Sequence, residues 1–298
     1  MRKRSFLGLA ALAATGLALH VSAGEPAAQT LVTSFEWSES DTAFGGMSAI
    51  TLDTDGNGFT ALSDRSTLYT GQLERDVGGN ILRVTGVTVH PLKGADGLPL
   101  DAAHDDSEGI AIAPDGTIFI SQEGPARVMR YAAPDGAGQV LPVARAFRAM
   151  QTNSALEALA IDANGALYTL PERSGALGRP FPVYRFSGSS WTQPFDIPRT
   201  GDYLPTAADF GPDGRLYVLE RNFQGLAGFQ SRVRRFVVTD DGISDGQTVL
   251  ETYLGQHGNL EGLSVWQDHT GAVHLTMVSD DNFRFFLRTT LVEYIIAD

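Results

Sequence analysis

The chain has no cysteine at any of its 298 positions. Disulfides, thiolate metal sites and cysteine nucleophiles are therefore excluded, and the fold must rest on a real buried core. Positive charge is also scarce: 22 Lys and Arg stand against 35 Asp and Glu, for a formal net charge of −13. That balance argues against nucleic acid as a partner, because binding a phosphate backbone needs basic surface to displace counterions. It suits cations, or a surface that is merely solubilising. After residue 23 the single lysine is Lys93, so almost every remaining cation is an arginine, whose planar fork matches phosphate and carboxylate. Past the same point no segment approaches the roughly 18 apolar residues of a membrane helix, so no membrane insertion is expected. Helical periodicity is nearly absent, the best candidate being a short turn around Ala144–Met150. Also missing are a Gly-x-Ser-x-Gly elbow, a phosphate-binding glycine loop, a dinucleotide signature and zinc-type His spacings.

The start of the chain is built differently. A basic Met1–Arg4, an apolar Phe6–Val21 and a small-residue site ending at Ala23 have the order of a secretory signal peptide. The run from Lys3 to Leu7 is close to a twin-arginine signal but has Lys in the first place, so the export route stays open. Residues 1–23 are thus expected to be removed, leaving 24–298 as one domain, periplasmic or secreted and monomeric by default. The loss of three basic residues and no acidic one deepens the charge to −16.

What the sequence does contain is a phrase that recurs about every fifty residues. Its five copies begin at Ser48, Glu108, Glu157, Thr206 and Glu261, spaced by 60, 49, 49 and 55 residues. Each is a run of small and β-branched residues followed by a turn: Asp55-Gly56, Asp115-Gly116, Asn164-Gly165, Asp213-Gly214, Thr270-Gly271. A second apolar run then ends in charge, at Asp64, Glu123, Glu172, Glu220, and Asp280 or Asp281. Two further strands follow in the first four units; the fifth has only one before the chain stops. Strand–turn–strand units at this period predict an all-β propeller of four-stranded blades. Five blades are expected, or six if the long first unit hides extra strands. Thr30–Trp37 would supply the missing strand by pairing with Thr289–Ile296, which closes the ring and removes an open edge. One segment, Asp53 to Asp64, nearly matches an EF-hand calcium loop, but its second half must be strand, so a wide hairpin turn is the better reading.

In a propeller the inner strand starts at one face and the second strand returns to it. Glu108, Glu157 and Glu261 should therefore surround a channel mouth, joined by Asp64, Glu123, Glu172, Glu220, Asp280 and Asp281. So many carboxylates repel one another unless cations neutralise them or their pKa values rise, and calcium, with its oxygen ligands, suits such a site. The other reading is that each Glu bonds the neighbouring blade and staples the ring. His104 and His257 stand four positions before Glu108 and Glu261, with Asn153 at the same offset before Glu157, and a histidine beside carboxylates could move a proton near neutral pH. Arg65, Arg173 and Arg221 each follow a carboxylate and could clamp an anionic substrate or pair with those acids.

At these positions the chain resembles a known family, the exported bacterial proteins described as phytase-like with esterase-like activity. The resemblance lies in Phe44-Gly-Gly-Met-Ser48, Ala61-Leu-Ser-Asp64-Arg65, Asp106-Ser-Glu108-Gly, Asn259-Leu-Glu261-Gly and Val278-Ser-Asp280-Asp281-Asn282-Phe. It implies a propeller whose recurring acids act on phosphoesters. The fourth repeat departs from the pattern, with Thr206 in place of Glu. Three functions follow as expectations: a calcium-dependent phosphoester hydrolase, a non-catalytic ligand-binding module, or a lactonase-like hydrolase with calcium polarising a carbonyl.

Overall fold

The computed structural model describes residues 29–101, 104–151, 154–239 and 242–297. The expected signal peptide and Asn153 lie outside the described residues. No helix among the described residues is long and apolar enough to cross a membrane.

Five four-stranded antiparallel sheets are arranged as a propeller. Blade 1 comprises Met47–Leu52, Gly58–Ser63, Thr67–Arg75 and Ile81–Pro91, and blade 2 comprises Ser107–Ile112, Ile118–Gln122, Arg127–Tyr131 and Gln139–Val140. Blade 3 is Leu156–Ile161, Leu167–Pro171, Phe181–Ser187 and Ser190–Ile197; blade 4 is Leu204–Phe210, Leu216–Phe223, Phe229–Phe236 and Gln247–Glu251. Blade 5 is Asn259–Gln267, Val273–Asp280 and Thr290–Ile296, completed from outside by Gln29–Glu36. The expected five blades and their closure are both observed, with Gln29 opposite Ile296 and Glu36 opposite Thr290.

The hairpins joining the first two strands of the blades are of one kind in four blades and one residue wider in blade 1. In blade 1 the Asp53 N–H donates to Gly58 O at 2.8 Å, and Asp55 Oδ1 accepts from the Asn57 N–H at 2.9 Å. In the other blades the closure is one residue tighter, joining Ala113 to Thr117, Asp162 to Ala166, Gly211 to Arg215 and Asp268 to Ala272. The segment resembling an EF-hand is the blade 1 hairpin. The outer strand of blade 2 is short and ends at Val140, since Pro142 has no N–H to give a ladder and a 3-10 turn at Phe147–Ala149 follows.

The core is divided among the blade interfaces. Five clusters of buried apolar side chains fill five gaps, one between each pair of adjacent blades. Phe59 and Tyr69 of blade 1 pack with Trp37, Val278 and Leu291 of blade 5, for example, across the gap where the ring closes. Inner strands crowd closely enough that Gly109 and Gly262 are required: a Cβ on Gly109 would lie 2.6 Å from Glu157 O, and one on Gly262 2.8 Å from Ile50 N.

Removing residues 29–36 should therefore do more than shorten the chain. It exposes the edge of Thr290–Ile296 and opens blade 5 beside the closing interface. The truncated protein is expected to lose its single cooperative unfolding transition in urea; a transition unchanged in midpoint and slope would refute closure by this strand.

Candidate functional site

Each inner strand carries an irregularity at the same place. The pairing of first with second strand slips by one residue between Met47 and Ala49, Ser107 and Ile110, Leu156 and Ala158, Pro205 and Ala207, and Leu260 and Gly262. The extra residues are Ser48, Glu108, Glu157, Thr206 and Glu261, the first letters of the five repeats. A β-bulge leaves one residue unpaired and re-aims its side chain, so the fold frees these five positions from the ladder. Two of them tie blades together: Ser48 Oγ donates to Ser107 O at 2.8 Å, and Thr206 Oγ1 to Leu260 O at 3.4 Å. The other three are glutamates.

A second ring surrounds the first. Asp64, Glu123 and Glu172 donate their backbone N–H groups to Gly46, Asp106 and Ala155, and register places Arg221 opposite Leu204 and Asp280 opposite Asn259. The equivalent residues are thus Asp64, Glu123, Glu172, Arg221 and Asp280. This corrects the sequence reading in blade 4, where Glu220 was expected at the mouth. Glu220 is fully buried one position earlier and is held by Arg232 Nε at 2.7 Å and by two nitrogens of Arg234.

The two rings interact through charge. Among the described residues, Asp106, Glu108 and Glu123 offer carboxylate oxygens that all lie within 4.8 Å of one another. Burial raises the Glu108 pKa well above the ordinary carboxylate range, and Glu157, Glu261, Glu123 and Asp106 push it further. Burial and Glu123 likewise push Glu157 up, while Arg221 opposes them. Glu123 rises to about 7, mainly by burial, although a hydrogen bond with Glu157 and the Ala155 N–H at 2.8 Å pull the other way. Asp64 rises to about 6 and Asp280 to about 8, again chiefly by burial. Carboxyls in direct contact, Glu108 with Asp106 and Glu157 with Glu123, share protons or hold a cation between them.

Arg221 supplies the positive charge on one side. Its Nη2 donates to Glu172 at 3.1 Å, and its Nη1 donates to Asn259 Oδ1 at 2.7 Å and to Glu261. Burial works against its charge, but Glu261, Glu157 and Glu172 outweigh burial and hold its pKa above the ordinary value. The mouth is therefore lopsided: the blade 3 to 5 side has an internal cation, and the Asp106, Glu108 and Glu123 group on blade 2 has none of its own.

The family profile described as phytase-like, esterase-like activity of phytase, matches residues 42–283. The chain belongs to this phytase-like family. No curated protein sequence matches it. Among solved structures it is similar to the α-L-arabinofuranosidase PaAbf62A from Podospora anserina, crystallised with cellotriose. The identity is 12%, with 92% of this chain and 98% of that one covered, and the TM-score is 0.55. It is also similar to the catalytic domain of the Coprinopsis cinerea GH62 α-L-arabinofuranosidase, at 11% identity, coverage of 88% and 97%, and a TM-score of 0.52. At these identities the likeness is one of fold.

The motifs shared with the phytase-like family fall on this mouth. In Phe44-Gly45-Gly46, a Cβ on Gly46, where φ is 61°, would lie 2.3 Å from the Phe283 ring and 2.5 Å from Asp64 Oδ1. Asp281 is expected as a metal ligand; its Oδ1 accepts from the Gly46 and Phe283 N–H groups, both at 2.9 Å, and so fastens blade 5 to blade 1. Arg65 lays its guanidinium on the Phe283 ring, 3.4 Å from the centroid, with the side chain exposed beside Asp64. Arg173 bonds Glu172 through Nε at 3.1 Å and is 55% exposed. The two histidines have other partners. His104 Nδ1 lies 2.6 Å from Asp101, and His257 Nε2 lies 2.7 Å from the Tyr294 hydroxyl, with burial lowering its pKa. Asp106 escaped the sequence reading altogether. The signal was present, since it opens the Asp106-Ser107-Glu108 motif, but no repeat partner has an acid at that position: the equivalents are Gly46, Ala155, Leu204 and Asn259.

Proposed function

We propose that this exported phytase-like protein is a calcium-dependent phosphoester hydrolase working at the acidic mouth, on a small anionic substrate. The observation that carries the reading is the convergence of Asp106, Glu108 and Glu123 within 4.8 Å on a single blade. An all-carboxylate donor set fits calcium and not zinc or copper, which favour nitrogen and sulfur ligands. Bound calcium would neutralise non-bridging phosphoryl oxygens and lower the pKa of a coordinated water.

The chain's own groups then divide the work. Arg65, stacked on Phe283, and Arg173, half-exposed over Glu172, face the substrate's remaining oxygens as planar donors. Burial and Glu123 raise the Glu157 pKa against the opposing charge of Arg221, which favours the protonated form needed to deliver a proton to the leaving oxygen. In this reading the proton task falls to Glu157 in place of His104 and His257. Arg221, expected to bind substrate, acts instead as a fixed counter-charge that keeps Glu172 and Glu261 folded into the mouth.

The test is thermal unfolding of chelator-stripped protein during calcium titration, beside hydrolysis of bis(p-nitrophenyl) phosphate. Only the folded state assembles the carboxylates, so calcium at a hundred times its dissociation constant should contribute about 2.7 kcal/mol. For a domain of this size that raises Tm by about 5–10 °C. Turnover should appear with calcium and vanish with chelator. A Tm shift without turnover on any phosphoester would make the protein a binding module, and no shift up to millimolar calcium would end the metal reading.

A further inference from the structure

The loops on the acidic face carry apolar side chains that the ring chemistry does not use. Phe285 and Phe286, between the second and third strands of blade 5, are 91% and 61% exposed. Phe223 and Leu226 occupy the matching loop of blade 4, and Tyr253 stands in the connection from blade 4 to blade 5, at 62%, 109% and 83% exposure. All of these loops leave the sheet where second strands end or inner strands begin, and hence on the face of the carboxylates. The turns of the opposite face expose only Val77 and Val237 among the described large apolar residues.

The residues lie on the adjacent blades 4 and 5. The Gly255 N–H donates to Phe229 O at 2.8 Å, which joins the Tyr253 connection to the Phe223 loop, and the Phe223 and Phe229 rings lie 4.8 Å apart. On blade 5 the Phe285 and Phe286 rings lie 5.3 Å apart and follow closely on Phe283, the ring beneath Arg65 and against Gly46. Residues 222–230 contain no charged side chain, in a chain of which 19% is charged. Water-exposed aromatics clustered beside a polar site mark a ligand with an apolar part. An anionic bilayer does not fit, because the protein's own net charge is −13.

We infer that the acidic mouth takes phosphoesters of apolar alcohols, with the phosphoryl group at the carboxylates and Arg65 and an alkyl or aryl stem lying along the apolar loops of blades 4 and 5. This rests on the phosphoester reading above and narrows it. It turns the site away from highly phosphorylated sugars, whose every position is hydrophilic, and toward substrates with one anionic head and one apolar body. Each methylene that leaves water for these loops adds affinity, so binding should grow with chain length until they are covered.

The experiment is calorimetric titration of the calcium-loaded, full-length protein with methyl-, hexyl- and decylphosphonate, below the concentration at which they aggregate. Decylphosphonate should bind at least thirtyfold more tightly than methylphosphonate. The paired substitutions F285S/F286S or F223S/L226S should cut that ratio to below threefold, with the calcium-induced Tm shift unchanged. Equal affinity for all three probes, binding of none, or a ratio that survives both pairs of substitutions would overturn the inference. So would sedimentation with neutral phosphatidylcholine vesicles that F285S/F286S abolishes, since a bilayer would then be the occupant. Hydrolysis separates the two proposals. A chain-length ratio without turnover sinks the hydrolase and keeps the apolar stem, whereas turnover without the ratio does the reverse.

Discussion

Replacing Arg221 by methionine should destabilise the protein by about 3–5 kcal/mol at pH 8, the range for breaking a buried ion pair from one side. The reason is the company it keeps. Its two terminal nitrogens hold Glu172, Glu261 and Asn259, and Glu157 feels its charge as well. Methionine fills the volume, leaves Glu261 and Glu157 without this counter-charge, and leaves Glu172 with only the half-exposed Arg173. The loss should depend on pH in a definite direction. Burial already raises the Glu261 pKa and Arg221 holds it down, so the substitution lets it climb further. A carboxyl with a folded pKa above its unfolded one binds more protons when folded, and its contribution to stability falls as pH rises between the two values. Urea unfolding of R221M should therefore show a deficit that is large at pH 8 and much smaller at pH 5. A deficit independent of pH would mean that the arginine acts through packing alone.

Glu108→Gln should separate function from stability by moving them in opposite directions. In calcium, turnover should fall at least about a hundredfold, because the exchange removes one of the three converging carboxylates. Asp106→Asn should behave alike. Without calcium, the Gln variant should be more stable than the parent, since four acids press on Glu108 in the folded state. The gain should be greatest above pH 7 and fade as the neighbours become protonated at lower pH. Calcium titrations of Tm in both proteins would check this: the parent should start lower and rise, and E108Q should start higher and rise little. A Gln variant that loses stability with and without calcium would recast Glu108 as a blade staple.

The fold was legible because its signal is repeated. Small inner-strand residues, Asx-Gly turns and a missing fifth-blade strand each recur or fail to recur at fixed intervals, and every one of them maps onto an observed strand. The three glutamates were legible for the same reason. The second ring was read less well. Charge alone favoured Glu220 over Arg221, and only strand register shows that Arg221 is the residue equivalent to Glu172. Asp106 had no repeat to announce it. For the histidines, an offset of four residues fixes where a side chain starts, and the contacts of His104 with Asp101 and of His257 with Tyr294 are visible only in the structure. The bulges themselves have no sequence signature, because the extra residue is visible only in the pairing.

Those bulges also bear on how such a protein changes over time. Along a regular strand each residue is constrained by what it packs against, and exchanging one letter disturbs an interface between blades. A residue on a bulge is excused from the ladder, although Ser48 and Thr206 still bond the neighbouring blade. The set Ser48, Glu108, Glu157, Thr206 and Glu261 therefore forms a short alphabet written on a repeated frame, in which two hydroxyls and three acids are one spelling. Duplicated blades can drift apart letter by letter there, and a new reaction can arise from a handful of codons while the five interfaces that fold the chain stay as they were.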